Sequence, residues 1–303
     1  MIAISKATHY NKKQKGGRIS DTFSNAVTKT TLFPYHYKEQ LLMDKLFFLG
    51  TCAADFSQKL KNECVNCFDK DARRASCALL DNRFLIDCGP HCLDSMRIAG
   101  IDMTIITDVF LTHLHDDHFN PDNLQTIASA RAASGAAPLR VWFREDADFP
   151  ALEHVELHRM KLYERYAVTD TLFISSTEAN HAPKFFPQWL LFEENGKKML
   201  YATDGGWIMD TTYQFLRNAQ LSTLIMDATC GDDIKDDRMA GHNSLPMIRL
   251  LLHALRHSRM VIPETNIVLT HLAPSLHRPH VETVQIVEKD GFVVAYDGLT
   301  IEI

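Results

Sequence analysis

The sequence predicts an α/β (α+β) protein: two sheets built from about a dozen short strands and covered by helices. Three observations lead there. Short apolar runs bounded by Gly, Asn, Asp and Pro recur from Lys45 to the C terminus, which is the signature of strands. A few segments between them carry helical spacing with a recognisable start. Of the 303 residues, 46% are apolar and 23% charged, which excludes a disordered, collagenous or coiled-coil chain. No run approaches the roughly 20 apolar residues that span a bilayer, so no membrane partner is expected.

The elements follow in order. Lys45–Gly50 is a short apolar strand, and Ala78–Asp87 is a hairpin turning at Asp81-Asn82. Asp108–Thr112 is a buried strand that runs into a His-rich loop. Asn120–Ala133 is a helix with Asn120 as its cap and Pro121 in its first turn. Leu139–Phe143 and Leu172–Ser176 are strands. Trp189–Glu193 and Lys198–Thr203 pair across Glu194-Asn195-Gly196, where Asn-Gly is the turn signal. Thr211–Asn218 is a short helix, Thr223–Asp227 a strand and Ser244–His257 an amphipathic helix. Asn266–Thr270, Phe292–Tyr296 and Leu299–Ile303 are the last strands.

Charge divides the chain. Residues 1–42 hold seven Lys or Arg against Asp21 and Glu39, a net of +5. The remaining 25 basic and 36 acidic residues give residues 43–303 a net of −11. The first 42 residues, polar and aperiodic, read as a basic, flexible extension, and residues 43–303 as one hydrolase-sized domain. A body so acidic disfavours a long nucleic acid, which needs clustered Lys and Arg. Seven cysteines without a secretory signal suggest reduced thiols and a cytoplasmic setting.

Histidine, at 15 residues, is in excess. The densest group is His113-Leu114-His115-Asp116-Asp117-His118, directly after an apolar strand. In an extended segment His113 and His115 point to one side, and Asp117 and His118 reach toward a second position as the chain turns. His181, Asp204 and His271 each follow another predicted strand. Glycines 205 and 206 allow the backbone near Asp204 to approach an ion closely. Together these residues make two metal sites: His113, His115 and His181 at one, Asp117, His118 and His271 at the other, and Asp204 between them.

With these segments in this order, the Leu-Gly-Thr at 49–51 and Leu85-Ile86-Asp87 on an early strand, the sequence over about residues 45–303 resembles the metallo-β-lactamase superfamily of binuclear hydrolases. The resemblance implies a four-layer αββα sandwich with two divalent ions (Zn or Mn, with Fe as a further option) at one edge. Met226-Asp227-Ala228-Thr229 and Gly241-His242-Asn243-Ser244 are similar to its phosphodiesterase branches, ribonuclease Z and the cyclic-phosphate phosphodiesterase of phosphonate metabolism. There the corresponding histidine is the proposed proton donor, a role the resemblance carries to His242. Asp117 is the second catalytic candidate.

The expected function is thus hydrolysis of a small phosphodiester, cyclic ones of ribosyl 1,2-cyclic type included, by a metal-activated water. The alternatives are an ester, lactone or thioester hydrolase, a ribonuclease Z-like endonuclease, and a non-catalytic protein of the same fold. A homodimer is left open. His277, Arg278 and His280 are candidates for a phosphate-binding rim. Cys64-Val65-Asn66-Cys67 supplies half of a structural metal site, although Asn62 and Pro274 stand where the cyclic-phosphate family has further ligands. Asp87 is a candidate to orient a ligand imidazole.

Overall fold

The computed structural model describes residues 43–232 and 236–303, and the expected extension at 1–42 lies outside them. The first half builds β1 (Lys45–Gly50), α1 (Gln58–Asn62), β2 (Cys77–Leu80), β3 (Phe84–Ile86), α2 (Cys92–Ala99), β4 (Asp108–Phe110), α3 (Pro121–Ala133), β5 (Leu139–Arg144) and β6 (Val155–Met160). The second half builds β7 (Arg165–Ala167), β8 (Phe173–Glu178), β9 (Gln188–Glu194), β10 (Lys197–Ala202), α4 (Asp210–Leu216), β11 (Leu221–Asp227), α5 (Leu245–His257), β12 (Val261–Thr270), α6 (His280–Val287), β13 (Val293–Val294) and β14 (Thr300–Glu302).

The strands form two mixed sheets, ordered β14-β1-β2-β3-β4-β5-β6 and β13-β12-β11-β10-β9-β8-β7. Their alternation decides the layers. In β10, Met199 and Tyr201 enter the core between the sheets, whereas Leu200 and Ala202 face the helices outside. In β4, Phe110 enters the shared core while Val109 faces α2 and α3. Helices α2 and α3 cover the first sheet with Met96, Leu124, Ile127 and Ala128. Helices α4, α5 and α6 cover the second with Leu216, Ile248, Leu252 and Val287. The result is the αββα sandwich.

Local chemistry sets the joints. Asp81 and Asn82 take φ of 47° and 59°, and Asn195 and Gly196 take 50° and 84°. Both pairs make the left-handed turn that a tight hairpin needs. Asn120 Oδ1 accepts from Asn123 N at 3.1 Å to start α3, and Ser244 Oγ accepts from Met247 N at 3.4 Å to start α5. The sequence reading missed α1, α2, β6, β7 and α6. No helix among the described residues is long and apolar enough to cross a membrane.

Candidate metal centre

The strand ends converge at one end of the sandwich. Beyond β4 come His113, His115, Asp117 and His118; beyond β8 comes His181, beyond β10 Asp204, and beyond β12 His271. Asp87 follows β3, and Asp227 closes β11. Three of these residues take unusual backbone angles, Asp87 at φ 62°, Asp204 at 49° and His271 at 57°. Left-handed φ at non-glycine residues costs of order 1–3 kcal/mol each and persists where surrounding contacts over-determine it. Here it turns each side chain from the end of its strand into the cluster.

Two groups of donors result. His113 Nε2 lies 2.8 Å from His115 Nδ1, and His181 Nε2 lies 3.0 Å from the same atom. His118 Nε2 lies 3.2 Å from His271 Nε2, with Asp117 Oδ2 at 3.4 Å from the first and 3.7 Å from the second. Asp204 stands between them. Its Oδ1 is 3.9 Å from His113 Nε2 and 3.8 Å from His181 Nε2, while its Oδ2 is 2.9 Å from His118 Nε2 and 3.1 Å from His271 Nε2. Each triad therefore sees a different oxygen of one carboxylate.

The tautomers suit metal ligation. His181 Nδ1 donates to Gly241 O at 3.2 Å and His118 Nδ1 donates to Asp87 Oδ2 at 2.7 Å, leaving the Nε2 of both rings to the cluster. His113 Nδ1 meets Thr112 Oγ1 at 3.1 Å, and His271 Nδ1 meets Thr229 Oγ1 at 2.8 Å. Asp87 thus sits where the sequence suggested. Its carboxylate also accepts from Thr112 N at 2.8 Å, so one carboxylate fixes both the loop and the ring.

The electrostatics separate the two groups. Burial, and then the charge of His118, push His113 well below the usual imidazole range; burial and His181 push His115 down to about 4. Burial opposes charging of His118 and His271, but Asp204 and Asp117 outweigh it, raising His118 well up and His271 to about 10. Burial would raise Asp204, yet His118, His271 and His113 hold its carboxyl well below the usual range.

These residues fit divalent ions. Ring nitrogens packed about 3 Å apart need a shared cation or proton to hold them. Asp204 is buried, and its Oδ2 faces the Nε2 atoms of His118 and His271. The donors of His113, His115 and His181 lie within 4.8 Å of one another, as do those of Asp117, His118 and His271.

A cavity of about 320 Å³ opens over the cluster, near the lower end for small-molecule sites. His242 and Thr229 line it, as do Asp55 and Arg238, which the sequence reading did not single out. His242 Nδ1 lies 2.8 Å from Asp227 Oδ2. Asp227 also accepts from Thr229 N and Asn243 N, each at 3.0 Å. Burial lowers the basicity of His242, but Asp227 outweighs it and the net shift is upward. Asp227 was visible as part of a motif; its grip on His242 was not, because the two lie 15 positions apart with a loop between them. Arg238 is held by Asp236 at 2.8 and 3.0 Å, with Asp55 at 3.4 Å.

Two expectations are corrected. The rim residues do not line this cavity. His277 Nε2 donates to Ala228 O at 2.6 Å, Arg278 pairs with Glu282 at 3.6 Å, and His280 Nδ1 meets Arg73 at 3.1 Å. His280 opens α6, which turns its side chain toward buried Arg73 and away from the His/Asp cluster. Cys64 is buried and Cys67 exposed, and among the described residues neither joins a group of three or more metal-type donors. Their loop is held instead by buried Arg74, which donates to Cys64 O at 2.6 Å and Cys67 O at 3.1 Å. None of the seven cysteines forms a disulfide.

The family described as beta-lactamase superfamily domain matches residues 82–272. No curated protein sequence matches the chain. Among solved structures, the chain is similar to a diphosphatase from the PhnP family (TM-score 0.65, 21% identity, covering 86% of this chain and 97% of that one). It is also similar to the metallo-beta-lactamase fold protein YhfI from Bacillus subtilis (TM-score 0.64, 16% identity, 86% and 99% coverage). A third likeness is to Zn(2+)-bound PqqB from Methylobacterium extorquens (TM-score 0.63, 16% identity, 86% and 100% coverage).

Proposed function

The chain belongs to the beta-lactamase superfamily, and on that footing we propose that it is a binuclear metal-dependent hydrolase of small phosphodiesters, including cyclic phosphates of the ribosyl 1,2-cyclic type. His113, His115 and His181 would hold one ion, Asp117, His118 and His271 the other, and Asp204 would touch both. Bound dications supply positive charge for the phosphoryl oxygens and lower the pKa of the attacking water.

The observation that carries the phosphodiester reading is the Asp227–His242 pair. As the P–O bond breaks, the leaving group departs as an alkoxide, which needs a proton. Asp227 is fully buried and, although burial alone would raise its pKa, His242 keeps it strongly acidic. It engages Nδ1 of His242, so Nε2 is the nitrogen left for the cavity. In its charged form, which Asp227 favours, the ring carries a proton at Nε2 to give, and one donor atom of His242 shares a 4.8 Å neighbourhood with those of Asp204 and His271. Asp117, at the cavity wall, orients the attacking water. The modest cavity and the acidic body favour a small substrate over a polynucleotide.

The test is a panel of bis-p-nitrophenyl phosphate, ribosyl 1,2-cyclic phosphate, nucleoside 2′,3′-cyclic phosphates, a lactone and a thioester, run with Mn and with Zn. Asp204→Ala is expected to lose both metal, by elemental analysis, and turnover. His242→Ala is expected to keep its metal and to hydrolyse the diesters roughly 10²–10⁴-fold more slowly. Full diesterase activity in His242→Ala would overturn the proton-donor assignment. Faster turnover of the lactone or thioester, indifferent to His242, would move the reading to carboxylic esters.

A further inference from the structure

A second cavity, about 550 Å³, adjoins the first and shares His115 and Asp117 with it. Its remaining walls differ in character. Phe56, Pro90 and Phe185 supply apolar surface, and Asp116 and Asn120 supply polar edges. The Phe185 ring lies 3.8 Å, centroid to centroid, from the imidazole of His115, so the aromatic wall reaches the metal ligands directly. Phe56 is held edge-on against His91 at 4.6 Å. Asn120 spends its Oδ1 on the cap of α3, which leaves its Nδ2 donors for a ligand. Asp116 is exposed and offers acceptors.

We propose that this cavity is a subsite for a planar heteroaromatic substituent of the diester, of the nucleobase kind, with the scissile phosphate placed at His115 and Asp117 where the two cavities meet. Two cavities of different character meet at the cluster. One is polar, with Asp55, Arg238 and His242; the other is aromatic. Planar rings gain from contact with aromatic side chains beyond the area they bury, and stacking of bases on such side chains tolerates sequence. A donor and an acceptor at the edge suit a heteroaromatic ring better than a plain alkyl chain. The inference rests on the phosphodiester reading for the phosphate's position but not for the ring's.

The experiment measures binding of phenylphosphonate and methylphosphonate to the metal-loaded full-length protein by calorimetry. Both carry the same anionic head and neither is hydrolysed. Phenylphosphonate is expected to bind about fivefold tighter or more. Phe56→Ala should remove most of that preference while leaving methylphosphonate affinity unchanged, which also reports an intact metal site. Phe56→Tyr should restore the preference. Hydrolysis should follow suit, with KM for a nucleoside 2′,3′-cyclic phosphate rising in Phe56→Ala and kcat holding, and with base-free ribosyl 1,2-cyclic phosphate unaffected. A phenyl preference that is absent, or that survives Phe56→Ala, overturns the subsite even if diesters are hydrolysed. A Phe56-dependent preference in a protein that cleaves no diester sustains the subsite and sinks the hydrolytic reading instead.

Discussion

Asp204 shows how much one residue can carry. With an oxygen toward each triad, it links donors from the ends of three other strands, β4, β8 and β12, that otherwise share only proximity. Its place in the cluster was legible because the Asp stood after an apolar strand and before two glycines, in order with the histidine segments. The rim residues were misread for the converse reason: His277, Arg278 and His280 follow a ligand in sequence, yet a short loop and α6 turn them away. Arg74 was invisible, since nothing in the sequence marks which arginine will be buried. It is fully enclosed, donates to two carbonyls of the Cys64–Cys67 loop and lies 3.8 Å from Asp297. Two measurements follow. The double substitution Cys64→Ser, Cys67→Ser should leave the metal content of the protein unchanged by elemental analysis. Arg74→Met should lower the unfolding free energy by about 2 kcal/mol or more in chemical denaturation, because it leaves two loop carbonyls without their donor and removes a cation beside Asp297.

Elements were legible where a local rule specifies them. Both tight hairpins follow from Asp-Asn and Asn-Gly, and α3 and α5 from an Asn or Ser cap followed by Pro. The missed elements lack such marks. Helix α2 starts at His91 with no capping side chain and α6 starts at Pro279 likewise, while β6 is largely exposed and reads as polar. What the elements do for the site is also a matter of close approach. A Cβ on Gly89, between β3 and α2, would sit 1.9 Å from the carbonyl oxygen of Asp117. Gly89→Ala is therefore expected to push the His115–His118 turn outward. Metal content should fall although no ligand is changed, and stability should drop by about 1–3 kcal/mol in thermal or chemical unfolding. Normal metal content in that variant would show that the turn can move without cost.

Across the whole molecule, buried titratable groups tie stability to pH. Burial, helped by Arg73, holds His277 down to about 4 against an ordinary 6.5. Its folded form stays neutral while the unfolded chain takes up a proton below pH 6.5, so stability is highest above that value and is lost as pH falls toward 4. After discounting for partial exposure, the loss from this one group is roughly 2 kcal/mol. His277→Gln, which keeps a donor for Ala228 O, should show a smaller fall in unfolding free energy between pH 7 and pH 4.5 than the parent. Equal falls in the two proteins would remove His277 from the account. The same scale separates what the chain alone decided from what folding decided. The residues that gather in the cluster, the fold class and most strands were readable because each depends on residues close in sequence: a period of two, a cap, a turn pair, a His-x-His. The hold of Asp227 on His242, the departure of the rim residues and the aromatic cavity beside the cluster were not. Each joins segments that meet only once the chain has folded, and no local pattern encodes a contact whose partners lie far apart in sequence.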